Sequence, residues 1–290
     1  MTKSFQLSDS FESSVSPQWL GYYRLLLSIR PAQIGSVAKT VLGVRRRVVR
    51  SSTGALYCID PVSVFGLELL SQGQFEPALT KVVQVLLRPG DVFVDVGGNE
   101  GYFSILAARR VENGSVLCVE PQSRLVPTIQ RNISLNCAQV VSIENVALSD
   151  KNGEAELYLR PSSNTGASSF YKHWRFGSTS ELVATKRLDD LLHDRGVQSV
   201  RLVKIDCEGA ESLVLEGAIQ TVRDQIVDFY VIDYHTHIAG LESCDRAHAA
   251  LAGAGYRLTK YYGLCIYVKP GEEKEMEVLA TPRFLTSWRD

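Results

Sequence analysis

A run of apolar, acidic and glycine residues, VFVDVGGNEG, spans Val92 to Gly101 and has the residue types best suited to binding a ligand. The apolar residues around Asp95 predict a buried strand of a parallel sheet. Gly97, Gly98 and Gly101 then allow a tight turn and the close approach of a ligand to the backbone. Because helical spacing follows, the pattern predicts a strand, a glycine turn and a helix N-terminus, which together form a cradle of nucleotide size.

Two ligand classes compete for such a cradle, and the order of residues separates them. The dinucleotide fingerprint is G-x-G-x-x-G, whereas the order here is Asp95-Val96-Gly97-Gly98-Asn99-Glu100-Gly101. An acidic residue at the strand end repels a pyrophosphate and suits a ligand with an ammonium group, such as S-adenosylmethionine. Ser115 to Glu120 (SVLCVE) predicts a second strand ending in a carboxylate that can accept both ribose hydroxyls, as either ligand requires. The sequence favours S-adenosylmethionine and keeps a dinucleotide as the alternative.

Two later strands end in residues that can move protons. Val200 to Ile205 (VRLVKI) and Gln225 to Asp233 (QIVDFYVID) are apolar runs that predict the fourth and fifth core strands. In a doubly wound sheet, ligands lie outside the carboxyl ends of the strands. The side chains expected to face a reacting group are therefore Asp206, Glu208, Asp233, His235 and His237.

Alternating strands and helices bring these residues to one edge of a sheet. Arg124 to Leu135 has helical spacing and Val140 to Ala147 predicts a third strand, so the series indicates right-handed crossovers in a parallel sheet. Leu213 to Ile219 predicts one further helix. Tyr256 to Lys260 and Leu264 to Lys269 predict a closing hairpin that places one antiparallel strand in the sheet. The predicted fold class is α/β, with a doubly wound, mostly parallel sheet.

The first 60 residues predict a separate extension. Trp19 to Ile29 and Gln33 to Val44 have helical spacing, and Val48 to Ile59 predicts a β-hairpin. We therefore expect an N-terminal extension over residues 1–60 and one ligand-binding domain over residues 61–290. The extension could cap the substrate cleft or form a homodimer interface, and the sequence leaves both roles open.

Two stretches have an uncommon composition. A basic cluster, Arg45, Arg46, Arg47 and Arg50, could bind an acidic or phosphorylated substrate, or it could simply be a solvated face. Pro161 to Ser180 is rich in Ser, Gly and Asn, and an ordered loop of this length is usually functional.

The overall composition is that of an ordinary globular chain. It is 45% hydrophobic and 22% charged, with a formal net charge of −1, and this balance does not indicate binding to nucleic acid or to a membrane surface. The six cysteines are scattered without a C-x-x-C pair, which favours a reduced, cytoplasmic protein. Since no apolar segment approaches ~18 residues, we expect no membrane span.

Four motifs together resemble the FkbM-type methyltransferase family. They are DVGGNEG from Asp95, VEP from Val119, NVALSD from Asn145 and KIDCEGAE from Lys204. Weaker similarities are Phe75-Glu76-Pro77 and the NTGASS stretch from Asn164. The resemblance implies a class I methyltransferase with a seven-stranded, Rossmann-like sheet. It also implies S-adenosylmethionine-dependent O-methylation of a hydroxyl on a small molecule, sugar or natural product.

The resemblance also assigns cofactor contacts to residues of this chain. Glu120 would take the ribose hydroxyls, and Val146 with Ala147 would border the adenine. The remaining predicted cofactor residues are Asp95, Gly97, Gly98, Asn99 and Gly101 at the methionine part, and Pro121 next to Glu120. At Gly98 the family commonly has alanine, so the turn departs from the family pattern at that position.

A methyl acceptor with a hydroxyl needs a group that removes its proton. A histidine with its ordinary pKa of ~6.5 suits that task, so we hypothesise that His235 is the base and that Asp206 orients substrate or cofactor. The alternatives are a hydrogen-bonded loop pair for His235 and His237, and a helix N-cap for Asp206. A second hypothesis places Mg²⁺ on Asp206 and Asp233, where the ion would acidify the hydroxyl.

Two other functions stay open for the whole chain. One is a catalytically silent, cofactor-binding scaffold, against which the presence of Asp95, Glu120 and Asp206 counts. The other is a nicotinamide-dependent oxidoreductase, which the glycine spacing and the final hairpin disfavour.

Overall fold

The chain consists of two compact units. The computed structural model describes residues 17–29, 32–171, 179–279 and 284–289. Contacts between Cα atoms divide the chain into residues 1–75 and residues 76–290, and each unit is described by itself. Among the described residues, no helix is both long and apolar enough to cross a membrane. The extent of the N-terminal extension and its role as cap or dimer contact stay predictions.

The first unit contains the predicted helices and hairpin. Its elements are α1 (Pro17–Ser28), α2 (Ala32–Val41), β1 (Arg47–Arg50), β2 (Leu56–Ile59) and α3 (Val64–Gln72). Strands β1 and β2 pair antiparallel, which confirms the predicted hairpin. At the start of α3, the backbone amide of Gly66 donates to the Ser63 hydroxyl, which therefore acts as the N-cap.

The second unit alternates strands and helices as expected. Its elements are α4 (Pro77–Leu86), β3 (Val92–Val96), α5 (Tyr102–Val111), β4 (Ser115–Val119), α6 (Val126–Leu135), β5 (Val141–Glu144), β6 (Ala147–Leu148), β7 (Gly153–Tyr158), β8 (Ser180–Lys186), α7 (Leu188–Asp194), β9 (Val200–Ile205), α8 (Glu211–Glu216), α9 (Ile219–Arg223), β10 (Val227–Ile232), α10 (Thr236–Ala239), α11 (Leu241–Gly253), β11 (Arg257–Tyr261) and β12 (Leu264–Val268). Short 3₁₀ turns cover Ser123–Leu125, Thr165–Ala167 and Glu273–Leu279.

The main sheet has seven strands in the order β11-β12-β10-β9-β3-β4-β5. Strand β12 runs antiparallel to both of its neighbours, whereas the other adjacent pairs are parallel. All six residues of β9 are buried, as expected for a parallel strand covered on both faces. The predicted fold class, including the antiparallel strand of the final hairpin, is confirmed.

The predicted third strand, Val140 to Ala147, is wrong in its length. Strand β5 ends at Glu144, and β6 instead belongs to a separate sheet of order β6-β8-β7. The break lies at Asn145, whose side-chain amide donates to the backbone carbonyls of Glu120 at 2.8 Å and Pro121 at 3.1 Å. These bonds tie the end of β5 to the end of β4, so the chain leaves the main sheet there.

The predicted helix from Leu213 to Ile219 is also wrong, because two short helices occupy this region. Helix α8 ends at Glu216, and α9 begins at Ile219. Gly217 between them packs so closely that a Cβ atom at this position would lie 2.0 Å from the carbonyl oxygen of Ser149. The close packing of this glycine separates the two helices, and a hydrophobic pattern does not reveal such a contact. Strand β8 and helices α7 and α10 have no counterpart among the elements predicted from the sequence.

Candidate active site

The glycine turn after β3 lies against the end of β9. Gly97 has φ +77°, and a Cβ atom there would lie 2.0 Å from the carbonyl oxygen of Asp206. Only glycine fits such a position, since any side chain would meet backbone that cannot move aside. Gly101, with φ +82°, precedes the first residue of α5. The predicted strand, turn and helix are therefore present, and the turn directly contacts the segment that carries Asp206.

A buried ion pair lies beneath the turn. Asp95 is fully buried, accepts a hydrogen bond from the Ser104 hydroxyl at 2.6 Å and lies 3.2 Å from the Lys204 ammonium. Lys204 also donates to the carbonyl oxygen of Gly97 at 2.8 Å and lies 3.5 Å from Asp206. Burial lowers the pKa of Lys204, but the charges of Asp95 and Asp206 outweigh it and raise that pKa above its ordinary value. Lys204 therefore stays charged and holds the turn from below.

Sequence reasoning missed the role of Lys204. The available signal was a lysine inside VRLVKI, an otherwise apolar stretch except for Arg201, directly before the predicted site. A buried ammonium needs a carboxylate partner, and Asp95 on the neighbouring strand β3 provides one. The charge of Asp95 is thus balanced inside the protein.

Glu120, at the end of β4, connects to the same turn. One carboxylate oxygen accepts the backbone amide of Asn99 at 2.8 Å, and the other accepts the backbone amide of Gln122 at 2.9 Å. Burial raises the pKa of Glu120, and the hydrogen bonds from Gln122 and Asn99 partly offset this. The oxygen bound to the Gln122 backbone, Oε1, also accepts the Gln122 side-chain amide at 3.1 Å, so Oε2 is the oxygen that can still accept a ribose hydroxyl.

The NTGASS stretch covers Glu120 and Asn99. The Thr165 hydroxyl donates to the Asn99 side chain at 2.8 Å, and the Gln122 amide donates to the carbonyl oxygen of Thr165 at 3.2 Å. The Ser168 hydroxyl donates to Gln122 at 3.0 Å. This part of the predicted functional loop is therefore anchored on the cradle, whereas residues 172–178 of the loop lie outside the described residues.

The residues expected around the adenine follow the end of β5. Val146 is partly buried against the main core, and Ala147 is buried in β6. They lie directly after Asn145, which binds the backbone of Glu120 and Pro121. Because Asn145 is held at Glu120, Val146 and Ala147 follow on the same side of the turn as Glu120.

On the other side of the turn, a cluster of carboxylates surrounds His235. Its Nδ1 lies 2.8 Å from Glu211, and its Nε2 lies 3.7 Å from Glu208 and 3.8 Å from Asp206. Glu211 is nearly fully buried as the first residue of α8 and also accepts the backbone amide of Gly209 at 3.0 Å. The imidazole is therefore held from one side and faces two carboxylates on the other.

The charges of this cluster shift the pKa values of its members. Burial lowers the pKa of His235, but the hydrogen bond with Glu211 and the charges of Glu208 and Asp206 outweigh it and raise the pKa to about 9. Burial raises the pKa of Glu208 to about 7, against the effect of the His235 charge. Burial and the charge of Asp206 also raise the pKa of Asp233. His235 is therefore a cation at neutral pH, unlike the histidine of ordinary pKa that the sequence suggested.

The alternative roles for single residues are decided by their contacts. Asp206 is not a helix N-cap, because α8 begins at Glu211 with Ala210 at the cap position and no side-chain cap bond. His235 bonds to Glu211, whereas His237 is exposed and its ring centroid lies 5.9 Å from that of His235. Asp206 and His235 thus lie in one cluster, and His237 is at its margin.

The donor atoms of this cluster fit Mg²⁺ poorly. Asp206, Asp233 and His235 each bring one possible ligand atom within 4.8 Å of the others. Mg²⁺ prefers an octahedral set of oxygen ligands, and here one of three donors is an imidazole nitrogen. The Lys204 ammonium, 3.5 Å from Asp206, already supplies that carboxylate with a positive charge. The residues therefore favour chemistry without a divalent ion.

Comparison with known proteins places this arrangement in a family. The family model described as "Methyltransferase FkbM domain" matches residues 95–258, more than half of the chain. The chain belongs to the FkbM methyltransferase family. The matched region begins at Asp95 and includes Glu120, the NTGASS stretch and the His235 cluster.

Curated relatives of the FkbM family match about half of the chain. "2-O-methyltransferase NoeI" of Sinorhizobium fredii is 27% identical over 49% of this chain and 63% of its own length. "Methyltransferase 1" of Beauveria bassiana is 31% identical over 54% of this chain and 70% of its own length. "31-O-demethyl-FK506 methyltransferase FkbM" of Streptomyces tacrolimicus is 27% identical over 51% of this chain and 69% of its own length. Among solved structures, methyltransferase FkbM of Methylobacillus flagellatus is 15% identical, with a TM-score of 0.43 over 70% of this chain and 52% of that chain.

The departure from the FkbM pattern at Gly98 has a local cause. A Cβ atom on Gly98 would lie 2.5 Å from the sulfur of Cys118, which is fully buried in β4. Cys118 thus occupies the space that an alanine methyl group would need. The sulfur of Cys118 and the absence of a side chain at Gly98 are therefore sterically complementary.

We expect Gly98→Ala to lower the free energy of unfolding by about 1–3 kcal/mol, because the added methyl group overpacks the contact with Cys118. In a Cys118→Ala background the same substitution is expected to cost less than about 1 kcal/mol, since the sulfur is gone. Urea unfolding of the two single variants and the double variant measures this coupling. An equal cost of Gly98→Ala in both backgrounds would show that Cys118 does not restrict the turn.

Proposed function

We propose that the chain is an S-adenosylmethionine-dependent O-methyltransferase that transfers a methyl group to a hydroxyl of a small molecule, sugar or natural product. One observation carries this proposal: Glu120 and the His235 cluster flank the same glycine turn. In the sheet, β3 has β4 on one side and β9 on the other, and β10 follows β9. A cofactor with its ribose at Glu120 and its amino acid part over the turn would direct its reactive end toward Asp206 and His235.

Each side of the turn has a distinct task in this proposal. Glu120 binds the ribose hydroxyls, and Pro121, Val146 and Ala147 border the adenine. The backbone of Gly97, Gly98, Asn99 and Gly101 holds the methionine part. Asp95 acts through Lys204, which it keeps charged beneath the turn. The NTGASS stretch limits access of water to Glu120, because it is hydrogen-bonded to Asn99 and Gln122.

The His235 cluster removes the proton of the acceptor hydroxyl. When bound, S-adenosylmethionine supplies a methyl group on a positively charged sulfur. A hydroxyl becomes a competent nucleophile only as its proton leaves, and we assign that proton to His235, with Asp206 orienting the acceptor. Its raised pKa makes His235 a stronger base than an ordinary histidine, although a smaller share of it is unprotonated at neutral pH. Glu211 positions the ring through Nδ1, so Nε2 faces Asp206 and Glu208.

Relatives support the choice of oxygen as the atom that is methylated. Two of the relatives compared above are named for methylation at an oxygen, in one case on FK506. The identity of the acceptor within the hydroxyl class is open to a direct screen.

The test is transfer of a labelled methyl group from S-adenosylmethionine to a panel of polyhydroxylated glycosides and natural products. We expect label in an ether that survives mild base, and no label on the matched acceptors whose hydroxyls are already methylated. Because the cluster fits Mg²⁺ poorly, we expect the rate in excess EDTA to equal the untreated rate. Label only in base-labile esters would contradict hydroxyl transfer, and loss of activity in EDTA that Mg²⁺ restores would contradict the metal-free cluster.

A further inference from the structure

Helices α1 and α2 of the first unit expose large apolar side chains to solvent. On α2 and its final turn these are Ile34, Val37, Val41 and Leu42, which we call the α2 apolar face, with exposed fractions between 55% and 79%. Trp19 on α1 is 55% exposed. Ile34, Val37 and Val41 follow the spacing of one helix face, so they form a stripe rather than scattered contacts.

The opposite side of α2 attaches it to the first unit. A Cβ atom on Gly35 would lie 3.1 Å from the carbonyl oxygen of Leu26 on α1, and Ala38 packs against the apolar cluster around Leu26. Lys39 forms an ion pair with Asp60, which is buried. Helix α2 is therefore well packed on its inner side, and the α2 apolar face is its outer side.

A cavity rich in arginine adjoins this face. It has a volume of about 770 Å³, and its lining includes Trp19, Leu42, Arg45, Arg46 and Arg47. No Asp or Glu occurs among the described residues that line it. Leu42 belongs to both the cavity and the α2 apolar face, so the apolar stripe leads directly to the arginines. This is the basic cluster for which the sequence left a ligand and a solvated face open.

The two units have formal charges of opposite sign, which nearly cancel in the net charge of the whole chain. Residues 1–75 contain eight Lys or Arg residues and four Asp or Glu residues, a formal charge of +4, whereas residues 76–290 contain 23 and 28, a formal charge of −5. A positive surface beside an apolar one fits a partner that is both anionic and apolar. A bilayer with anionic phospholipids has this combination, since its headgroups carry phosphate and its interior accepts apolar side chains.

We propose that the first unit docks on an anionic lipid surface. The α2 apolar face enters the boundary between headgroups and acyl chains, and Trp19 lies at the headgroup level, where tryptophan is favoured. Arg45, Arg46 and Arg47, which line the cavity, bind headgroup phosphates, because guanidinium pairs with phosphate through two hydrogen bonds. Arg46 also donates to the carbonyl oxygen of Cys58 at 3.0 Å, which holds its side chain at the cavity. This docking is reversible and involves no membrane span. It also changes the expectation, drawn from composition alone, that no membrane is involved.

The experiment is co-sedimentation of the full chain with phosphatidylcholine vesicles, with and without phosphatidylglycerol. We expect binding to the anionic vesicles at least about tenfold stronger than to the neutral ones, and weaker binding at high salt. Arg45→Glu with Arg46→Glu is expected to weaken the anionic binding by at least about tenfold. The matched control is Arg109→Glu with Arg110→Glu, an adjacent exposed pair on α5, which is expected to bind like the wild type.

A second pair of variants tests the apolar part of the surface. Val37→Ser with Val41→Ser is expected to reduce vesicle binding about tenfold, whereas Leu182→Ser with Val278→Ser, equally exposed on the second unit, is expected to leave it unchanged. Equal binding of the wild type to neutral and anionic vesicles, or equal losses in the control variants, would overturn the proposal. A wild-type dimer that Val37→Ser with Val41→Ser converts to monomers would instead assign the face to a second copy of this chain.

Discussion

Replacing His235 with asparagine is expected to lower kcat/KM for methyl transfer by about 10²–10⁴-fold, the usual contribution of a general base. The side-chain amide of asparagine lies close to the position of Nδ1 and can donate to Glu211, 2.8 Å from that atom, so the buried carboxylate keeps a partner while the base is lost. Steady-state rates at saturating cofactor measure the effect. The matched control is His237→Asn, an exposed neighbour that is expected to stay within a few-fold of the wild type.

The pH dependence of the wild type gives a second readout of the same assignment. The base form of His235 appears as the pH rises through its raised pKa of about 9. We therefore expect kcat/KM to rise about tenfold per pH unit between pH 7 and pH 8, to reach half of its maximum near pH 9 and to level off above it. In Asp206→Asn the loss of a negative charge lowers the pKa of His235, so the midpoint moves to lower pH. A midpoint near 7 in the wild type would instead identify Glu208, whose pKa is about 7, as the proton acceptor.

Removal of the Glu120 carboxylate is expected to have the largest effect on cofactor affinity. A hydrogen bond to a charged group contributes about 1.5–3 kcal/mol, so the loss of the ribose contact at Oε2 in Glu120→Ala predicts at least about tenfold weaker binding of S-adenosylhomocysteine. Glu120→Gln keeps one acceptor oxygen and is expected to lie between that variant and the wild type. Isothermal titration calorimetry measures all three.

A control for Glu120 is available at the end of the next strand. Glu144 ends β5, as Glu120 follows the end of β4, but it is paired with Arg195. We expect Glu144→Gln to bind S-adenosylhomocysteine as the wild type does. Thermal unfolding of each variant separates lost contacts from a lost fold, since Glu120 also accepts the Asn99 amide. Wild-type affinity in a folded Glu120→Ala variant would remove this residue from the cofactor site.

The sequence was sufficient for features that depend on local pattern. The apolar run VRLVKI predicted β9 with its observed ends, and the glycine turn followed from residue types alone. The sequence was insufficient where a distant group decides the structure. The amide of Asn145 ends β5 by bonding to Glu120 and Pro121, and hydrophobic periodicity carries no signal of such a bond.

The protonation state of His235 was beyond sequence reasoning for a related reason. Its pKa is raised because Glu208 and Glu211, which follow β9, lie close to the imidazole, which follows β10. Gly209, with φ +99°, shapes the turn between these two carboxylates, and a Cβ atom there would lie 2.8 Å from Ile238. Residue types identified the members of the cluster, whereas only the fold sets the distances that determine their charges.

Calorimetric titration of the full chain shows directly whether the cradle at Asp95 to Gly101 binds S-adenosylmethionine. S-adenosylhomocysteine and NAD serve as the two ligands, because they share the adenosine that Glu120 would bind and differ at the turn. We expect micromolar binding of S-adenosylhomocysteine and no measurable binding of NAD. Binding of NAD in its place, or of neither ligand, would contradict an S-adenosylmethionine site at this turn.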